Sequence, residues 1–221
     1  RSRGADGPAY TSIVGGGDGS TCLHYVENDQ VLRDGEVVLI DAGCMYEHYA
    51  SDVTRTYPVN GKFSDAQRAI YEIVLRAEKA AIEAMRPGVA VKEIHRTGAL
   101  VILEGLAKLG LVKDEDPEEL FKDNAHRPFF MHGIGHSLGL DTHDSAPAES
   151  EGEPFQMEEG AVLTIEPGIY ISMGAEEAPE EYHGIGVRVE DDVLITADGY
   201  EILTDGIAKE IDDVEAAVGS A

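Results

Sequence analysis

Asp41, Asp52, His136, Glu166 and Glu190 have the residue types and the setting of a two-metal hydrolase site. Each acid lies in or beside an apolar run: VVLIDAG (37–43), YASDVTRTYPV (49–59), AVLTIEPGIY (161–170) and GVRVEDDVLIT (186–196). Runs rich in Val, Ile, Thr and Tyr predict strands. An ionised carboxylate is costly to bury in such a setting unless it is paired or coordinates a metal. One buried acid is ordinarily a satisfied structural residue. Four of them, with a histidine from HGIGH (132–136), are hard to explain without cations.

Oxygen donors with one imidazole favour a hard or borderline divalent ion, Mn²⁺ first, with Co²⁺ and Zn²⁺ as alternatives. Paired ions in hydrolases sit about 3.5–4 Å apart, lower the pKa of a water and polarise the substrate carbonyl. A neighbouring acid or base must then carry a proton to the leaving amine. Histidines suited to that surrounding role fall in MHGIGHSLGLDTHD (131–144), namely His132 and His143 beside His136, and His24 falls in CLHY (22–25). The glycines between them let backbone approach closely. His95 and His126 have no such context. There is no Gly-x-Ser-x-Gly elbow, and neither cysteine sits in a nucleophile setting.

The elements that must position these residues come from one chain of 221 residues, suited to a single large domain with a real core. The net charge of −26 disfavours nucleic acid and anionic membrane as partners, both being polyanions. Acids concentrate in DEDPEE (114–119), ESEGEPFQMEE (149–159), EEAPEE (176–181) and EIDD (210–213), which read as solvated loops. With seven lysines against forty-three acids, a salt-adapted surface is the sharper expectation. No run of eighteen apolar residues predicts a membrane span. The opening RSRGADGPAY lacks the apolar centre of a signal peptide. Cys22 and Cys44 read as reduced, partly buried thiols of a cytoplasmic protein.

Residues 9–59 predict strands joined by tight turns, with a glycine-rich turn at VGGGDGS (14–20) and an Asp-Gly turn in RDGE (33–36). VGGGDGS lacks the Gly-Lys-Ser/Thr ending of a phosphate loop. Ser64 and Gln67 form a capping-box pattern ahead of Ile70, Ile73, Val74, Ala77 and Ala81, and Pro87-Gly88 ends that helix. A second helix is predicted over 91–109 on Ile94, Val101, Ile102, Leu106 and Leu109. An acidic loop follows, then strands at RPFFMHG (127–133), 161–170 and 186–196, and an acidic tail of partial helical character at 206–221. Each strand block supplies two acids, which suggests two related halves around one site. Only the second block has two helices ahead of it.

At these residues the chain resembles the pita-bread metallopeptidases, and among them the bacterial Xaa-Pro aminopeptidases (aminopeptidase P) most closely. The resemblance rests on IDAGC (40–44), SDVTRTYPVNGKFS (51–64), NAHRPFFMHGIGHSLGLDTHD (124–144), TIEPGIY (164–170) and GIGVRVEDDVLIT (184–196), and runs from about residue 8 to 205. It implies an α+β fold with pseudo-twofold halves and two divalent ions. Asp41 would bind one ion, Asp52 and Glu190 would bridge, and His136 and Glu166 would bind the other, with Glu166 also the general base. His24, His132 and His143 would contact substrate and stabilise developing charge. Arg188, Tyr10 and Tyr170 would lie around the proline-side pocket. The implied reaction releases the first residue of a peptide whose second residue is proline, a tertiary amide that needs its own pocket.

Members of the family carry a separate N-terminal domain and opening helices that this sequence lacks. The expectation is therefore one catalytic domain over 1–221, of weakened or absent activity by itself, and a homo-oligomer is an option for the full-length protein. A prolidase acting on Xaa-Pro dipeptides, a methionine aminopeptidase and a non-catalytic pita-bread binding protein are the competing readings.

Overall fold

The computed structural model describes residues 1–145, 149–150 and 153–219. In chain order the first strands are β1 (Gly7–Pro8), β2 (Ile13–Gly16), β3 (Val37–Asp41), β4 (Cys44–Tyr46), β5 (Tyr49–Ala50) and β6 (Thr54–Pro58). Helices α1 (Asp65–Glu83), α2 (Val91–Lys108) and α3 (Pro117–Lys122) follow. The remaining elements are β7 (Glu149–Ser150), β8 (Glu153–Pro154), β9 (Val162–Ile165), β10 (Gly168–Ile171), β11 (Ile185–Arg188), β12 (Asp191–Thr196), β13 (Gly199–Ile202) and α4 (Ile211–Gly219). No described helix is long and apolar enough to cross a membrane.

Two antiparallel three-stranded sheets carry the architecture, in the orders β2-β3-β6 and β13-β12-β9. They present their acids in matching fashion. In the first sheet Asp41, at the end of β3, pairs with Thr54 at the start of β6, two residues past Asp52. In the second, Ile165 pairs with Asp191, so Glu166 and Glu190 lie one step beyond the same end of the ladder. The fold is thus α+β with related halves, as the sequence pattern suggests.

Helix α1 starts where its capping box predicts: Ser64 Oγ accepts from the Gln67 N–H at 3.2 Å and Gln67 Oε1 from the Ser64 N–H at 2.9 Å. Its buried face includes Ile70, Ile73, Val74, Ala77 and Ala81. These pack with Ile94, Ile102 and Leu106 of α2 and with Leu163, Ile165, Ile169, Val187 and Val193 of the second strand block in one large core. Pro87 is not the stop, because the helix already ends at Glu83.

Three further expectations need correction. RPFFMHG forms turns, not a strand. The His126 carbonyl accepts from the N–H groups of Phe129 and Phe130, at 3.0 and 2.7 Å, and the curled backbone sends both rings into the core. The extended pairing comes a few residues later, where 134–138 runs beside β9 through Glu166 N–H to the Ile134 carbonyl (2.8 Å) and Leu138 N–H to that of Val162 (3.0 Å). The acidic segment after α2 holds α3, capped by Asp116 with Pro117 in the first turn. Finally, Cys22 and Cys44 are free thiols and exposed. Part of ESEGEPFQMEE lies outside the described residues.

Candidate active site

Between the two sheets lies a cavity of about 270 Å³. Its walls carry Asp41, Asp52, Glu166 and Glu190 together with His24, His132, His136, His143 and Arg188. The acids reach it because both long apolar runs of the second block break at the acid. Pro167 has no N–H to offer a ladder, and it separates β9 from β10 just after Glu166. Val189 and Glu190 separate β11 from β12.

His136 enters from the segment beside β9. A Cβ on Gly135 would come within 1.8 Å of the Thr164 carbonyl oxygen, so only glycine allows this approach. The approach lets Thr164 N–H donate to the His136 carbonyl at 2.9 Å and His136 N–H to Thr164 Oγ1 at 3.0 Å. His136 Nδ1 donates to the Ser137 carbonyl at 3.1 Å, which leaves Nε2 facing Asp52 and Glu166, each 3.5 Å away. That is the arrangement by which a metal-ligating histidine is oriented. Asp52, His136 and Glu190 each offer a ligand atom within 4.8 Å of the others.

The charges in the cavity demand compensation. Burial and the neighbouring acids Glu166, Asp52 and Asp41 push Glu190 far above the usual carboxylate range. Burial raises Glu166 to about 7, against the opposing pull of Arg188 and His136. Asp41 is raised by burial despite Arg188 and Tyr10. At His136, burial alone would lower the pKa, but hydrogen bonding to Asp52 and the Ser137 carbonyl raises it overall. Four acids face a single guanidinium, so cations fit here both by charge and by donor set.

Arg188 organises the opposite wall. It donates through Nη2 to Asp41 Oδ2 at 2.5 Å, through Nε to Thr54 Oγ1 at 3.1 Å and through Nη1 to the Tyr170 hydroxyl at 3.1 Å. Tyr170 in turn donates to His132 Nε2 at 2.8 Å, and His132 Nδ1 donates to the Gly133 carbonyl at 2.8 Å. Burial and Arg188 lower His132 to about 4, which keeps the ring neutral and this donor chain consistent. His143 stands edge-on to His136, ring centroids 4.2 Å apart, and His24 is exposed at the rim.

Tyr10 and Tyr170 are not among the lining residues. Tyr170 sits behind the wall, 3% exposed. The Tyr10 hydroxyl bridges Asp52 Oδ1, at 2.5 Å, and Asp41 Oδ1, tying two acids together from behind. Sequence reasoning passed over two residues with comparable tasks. Asp192 accepts the Asp52 N–H at 3.1 Å, and Thr54 Oγ1 donates to Glu190 Oε2 at 2.5 Å. The run Glu190-Asp191-Asp192, three acids inside an apolar stretch, was the available signal for the first.

The profile of metallopeptidase family M24 matches residues 1–197. The chain is 49% identical over 218 residues to a Xaa-Pro aminopeptidase of Escherichia coli, covering 99% of this chain and 49% of that protein. It is 51% identical over 210 residues to a Xaa-Pro aminopeptidase of Haemophilus influenzae, covering 94% and 48%. Among solved structures, a glutamate-to-alanine variant of Escherichia coli aminopeptidase P in complex with substrate superposes with a TM-score of 0.94 at 47% identity, covering 99% of this chain and 49% of that one. The chain spans about half the length of the curated relatives it matches.

Proposed function

The chain belongs to metallopeptidase family M24, and from that premise we propose that residues 1–221 are the catalytic domain of an aminopeptidase that releases the first residue of peptides with proline in second position. The observation that carries this reading is the convergence of Asp41, Asp52, His136, Glu166 and Glu190 on one cavity beside the Arg188–Tyr170–His132 chain. The names of the relatives supply the substrate class.

In this reading Asp41, Asp52, His136, Glu166 and Glu190 would hold two divalent ions, with Asp52 and Glu190 as ligands common to both. Their oxygen-rich set with one imidazole supports Mn²⁺. Bound ions would lower the pKa of a water and polarise the scissile carbonyl. Glu166, in the cavity 3.5 Å from His136, is placed to take a proton from the attacking water. It returns that proton to the proline nitrogen as the C–N bond breaks. Neutral His132 and the rim residues His24 and His143 contact the peptide, and Arg188 with Tyr170 shapes the proline side.

The test uses the full-length protein loaded with Mn²⁺. Ala-Pro tripeptides should be cleaved and their Ala-Ala counterparts left largely intact. Equal cleavage of the two would overturn the proline-specific reading, and activity confined to Xaa-Pro dipeptides would make the protein a prolidase. Failure to bind any Mn²⁺ would point to a binding protein instead.

A further inference from the structure

Arg55 lies on β6, is only 2% exposed and is not among the residues lining the cavity. A guanidinium carries five N–H donors in a rigid fork. In Arg55 each has an acceptor. Nε donates to the Ala208 carbonyl at 3.0 Å, and Nη1 to the carbonyls of Thr54 at 3.0 Å and Glu190 at 2.6 Å. Nη2 donates to Asp191 Oδ1 at 2.7 Å and to the Ile207 carbonyl at 3.0 Å. The other oxygen of Asp191 is held by Lys209 Nζ at 2.5 Å, and the same ammonium reaches Glu78 of α1 at 2.7 Å.

A buried charge network is weak grounds for stability, since well-packed apolar side chains of similar volume often serve as well. What apolar side chains cannot do is hold carbonyl groups of separate segments at one fixed spacing. Arg55 does this for Thr54, two residues past Asp52, and for Glu190 itself. These are the points where the two halves meet, and Glu190 N–H also donates to the Thr54 carbonyl there, at 3.1 Å. Asp52 and Glu190 come from opposite halves, so their separation depends on this joint.

We propose that Arg55 is a positioning residue of the metal centre, one guanidinium that sets the spacing of Asp52 and Glu190 and so the capacity to hold a second ion. The inference rests on the two-ion reading above. Residues that orient metal ligands from outside typically change metal affinity by about 10–100-fold when replaced.

The experiment titrates Mn²⁺ into the metal-free full-length protein by calorimetry and records electron paramagnetic resonance of the loaded protein. The wild type should bind two ions with an exchange-coupled signal. Arg55→Lys keeps the charge and loses the fork. It should retain the first ion, bind the second about 10–100-fold more weakly, and show the signal of isolated Mn²⁺ at equal loading. Val74→Ala, a core truncation on α1, is the destabilised control and should lower the thermal midpoint while keeping both ions coupled. Wild-type binding and coupling in Arg55→Lys would overturn the inference, as would an equal loss of the second ion in Val74→Ala. If Arg55→Lys does not fold, Asp191→Asn, which loosens the same fork, is read by the same two measurements with the same outcomes. A wild type that holds fewer than two ions would sink the two-ion reading instead, and an Asp52→Ala variant that keeps both would sink the assignment of Asp52 as a shared ligand.

Discussion

The strand block of residues 37–58 and that of residues 162–202 each deliver two acids to the cavity from the same end of an antiparallel ladder, yet they are supported differently. The second block rests on α1 and α2: Leu163, Ile165, Ile169, Val187 and Val193 all join the large core. The first contributes Val37 to that core, with Tyr57 packed against it, while Ile13 and Leu39 form a small cluster with Tyr170. Its other face opens onto a shallow groove of about 430 Å³ past Ile40, Val53 and Tyr57. Matching acids are thus mounted on unequal foundations. The first block compensates with polar ties to its acids: Tyr10 to Asp41 and Asp52, Asp192 to the Asp52 N–H, and Arg188 to Asp41. Both halves carry hydrogen-bond ties to their acids, but only the second adds extensive packing on the helices.

If the halves are chemically equivalent, removing one acid from either should be equally damaging. Asp52→Ala and Glu190→Ala should each lower Mn²⁺ affinity and peptide turnover by about a hundredfold or more, beyond the range for residues outside the ligand set. Metal analysis with a steady-state assay checks this. A large asymmetry between the two variants would end the idea of a shared pair.

The packing contrast predicts unequal responses to truncation. Ile165, 2% exposed in the large core, should cost about 2–5 kcal/mol when replaced by alanine. Ile40, half-buried over the groove, should cost less than about 1.5 kcal/mol. Denaturant unfolding at matched metal loading measures both, and similar losses would erase the distinction.

Among the described residues, the second half rests on a histidine platform that the first half lacks. His126 packs against Phe121, His95 and Phe130, and Phe130 meets His132 edge-on. Burial, with help from His95 and Arg127, lowers His126 from 6.5 to about 4. The unfolded chain therefore takes up a proton first as pH falls. The stability linked to His126 is complete above about 6.5 and is lost progressively as pH drops towards 4. His126→Phe should flatten that part of the stability profile relative to wild type. An unchanged difference between pH 7 and pH 4.5 would discount the platform.

The smallest effect concerns the surface. Glu176, Glu177, Glu180 and Glu181 are all exposed on the connection between β10 and β11, in a chain of net charge −26. Screening by salt should raise stability by about 1 kcal/mol, or about 2–4 °C in thermal midpoint, between low and molar salt. A falling midpoint or a sharp decline in activity over that range would count against a salt-adapted surface.

Much of this arrangement was legible because the signals are local. The capping box of α1 needs only Ser64 and Gln67, and the helical faces need only a periodic apolar pattern. An acid inside an apolar run is conspicuous wherever it occurs, which is why four carboxylates stood out. Helix α3 was legible too, since Asp116-Pro117 is a cap followed by a residue suited to the first turn. Its run of acids drew the reading towards a loop. The segment 127–133 misled for the opposite reason: Phe129 and Phe130 look like strand residues but reach the core from turns.

By itself the sequence determined the main helices and strands and which side chains could serve as ligands, because propensity, capping and hydrophobic period act over a few residues. The tertiary structure alone decided how those side chains are held. Tyr10 meets Asp41 and Asp52 across 31 and 42 residues, Arg55 meets Glu190 across 135, and Asp52 meets Asp192 across 140. Such bonds depend on the angle and register at which two sheets pack, which no local pattern encodes. Ligand identity is a property of residue type, whereas ligand spacing is a property of the joint between two halves of the chain.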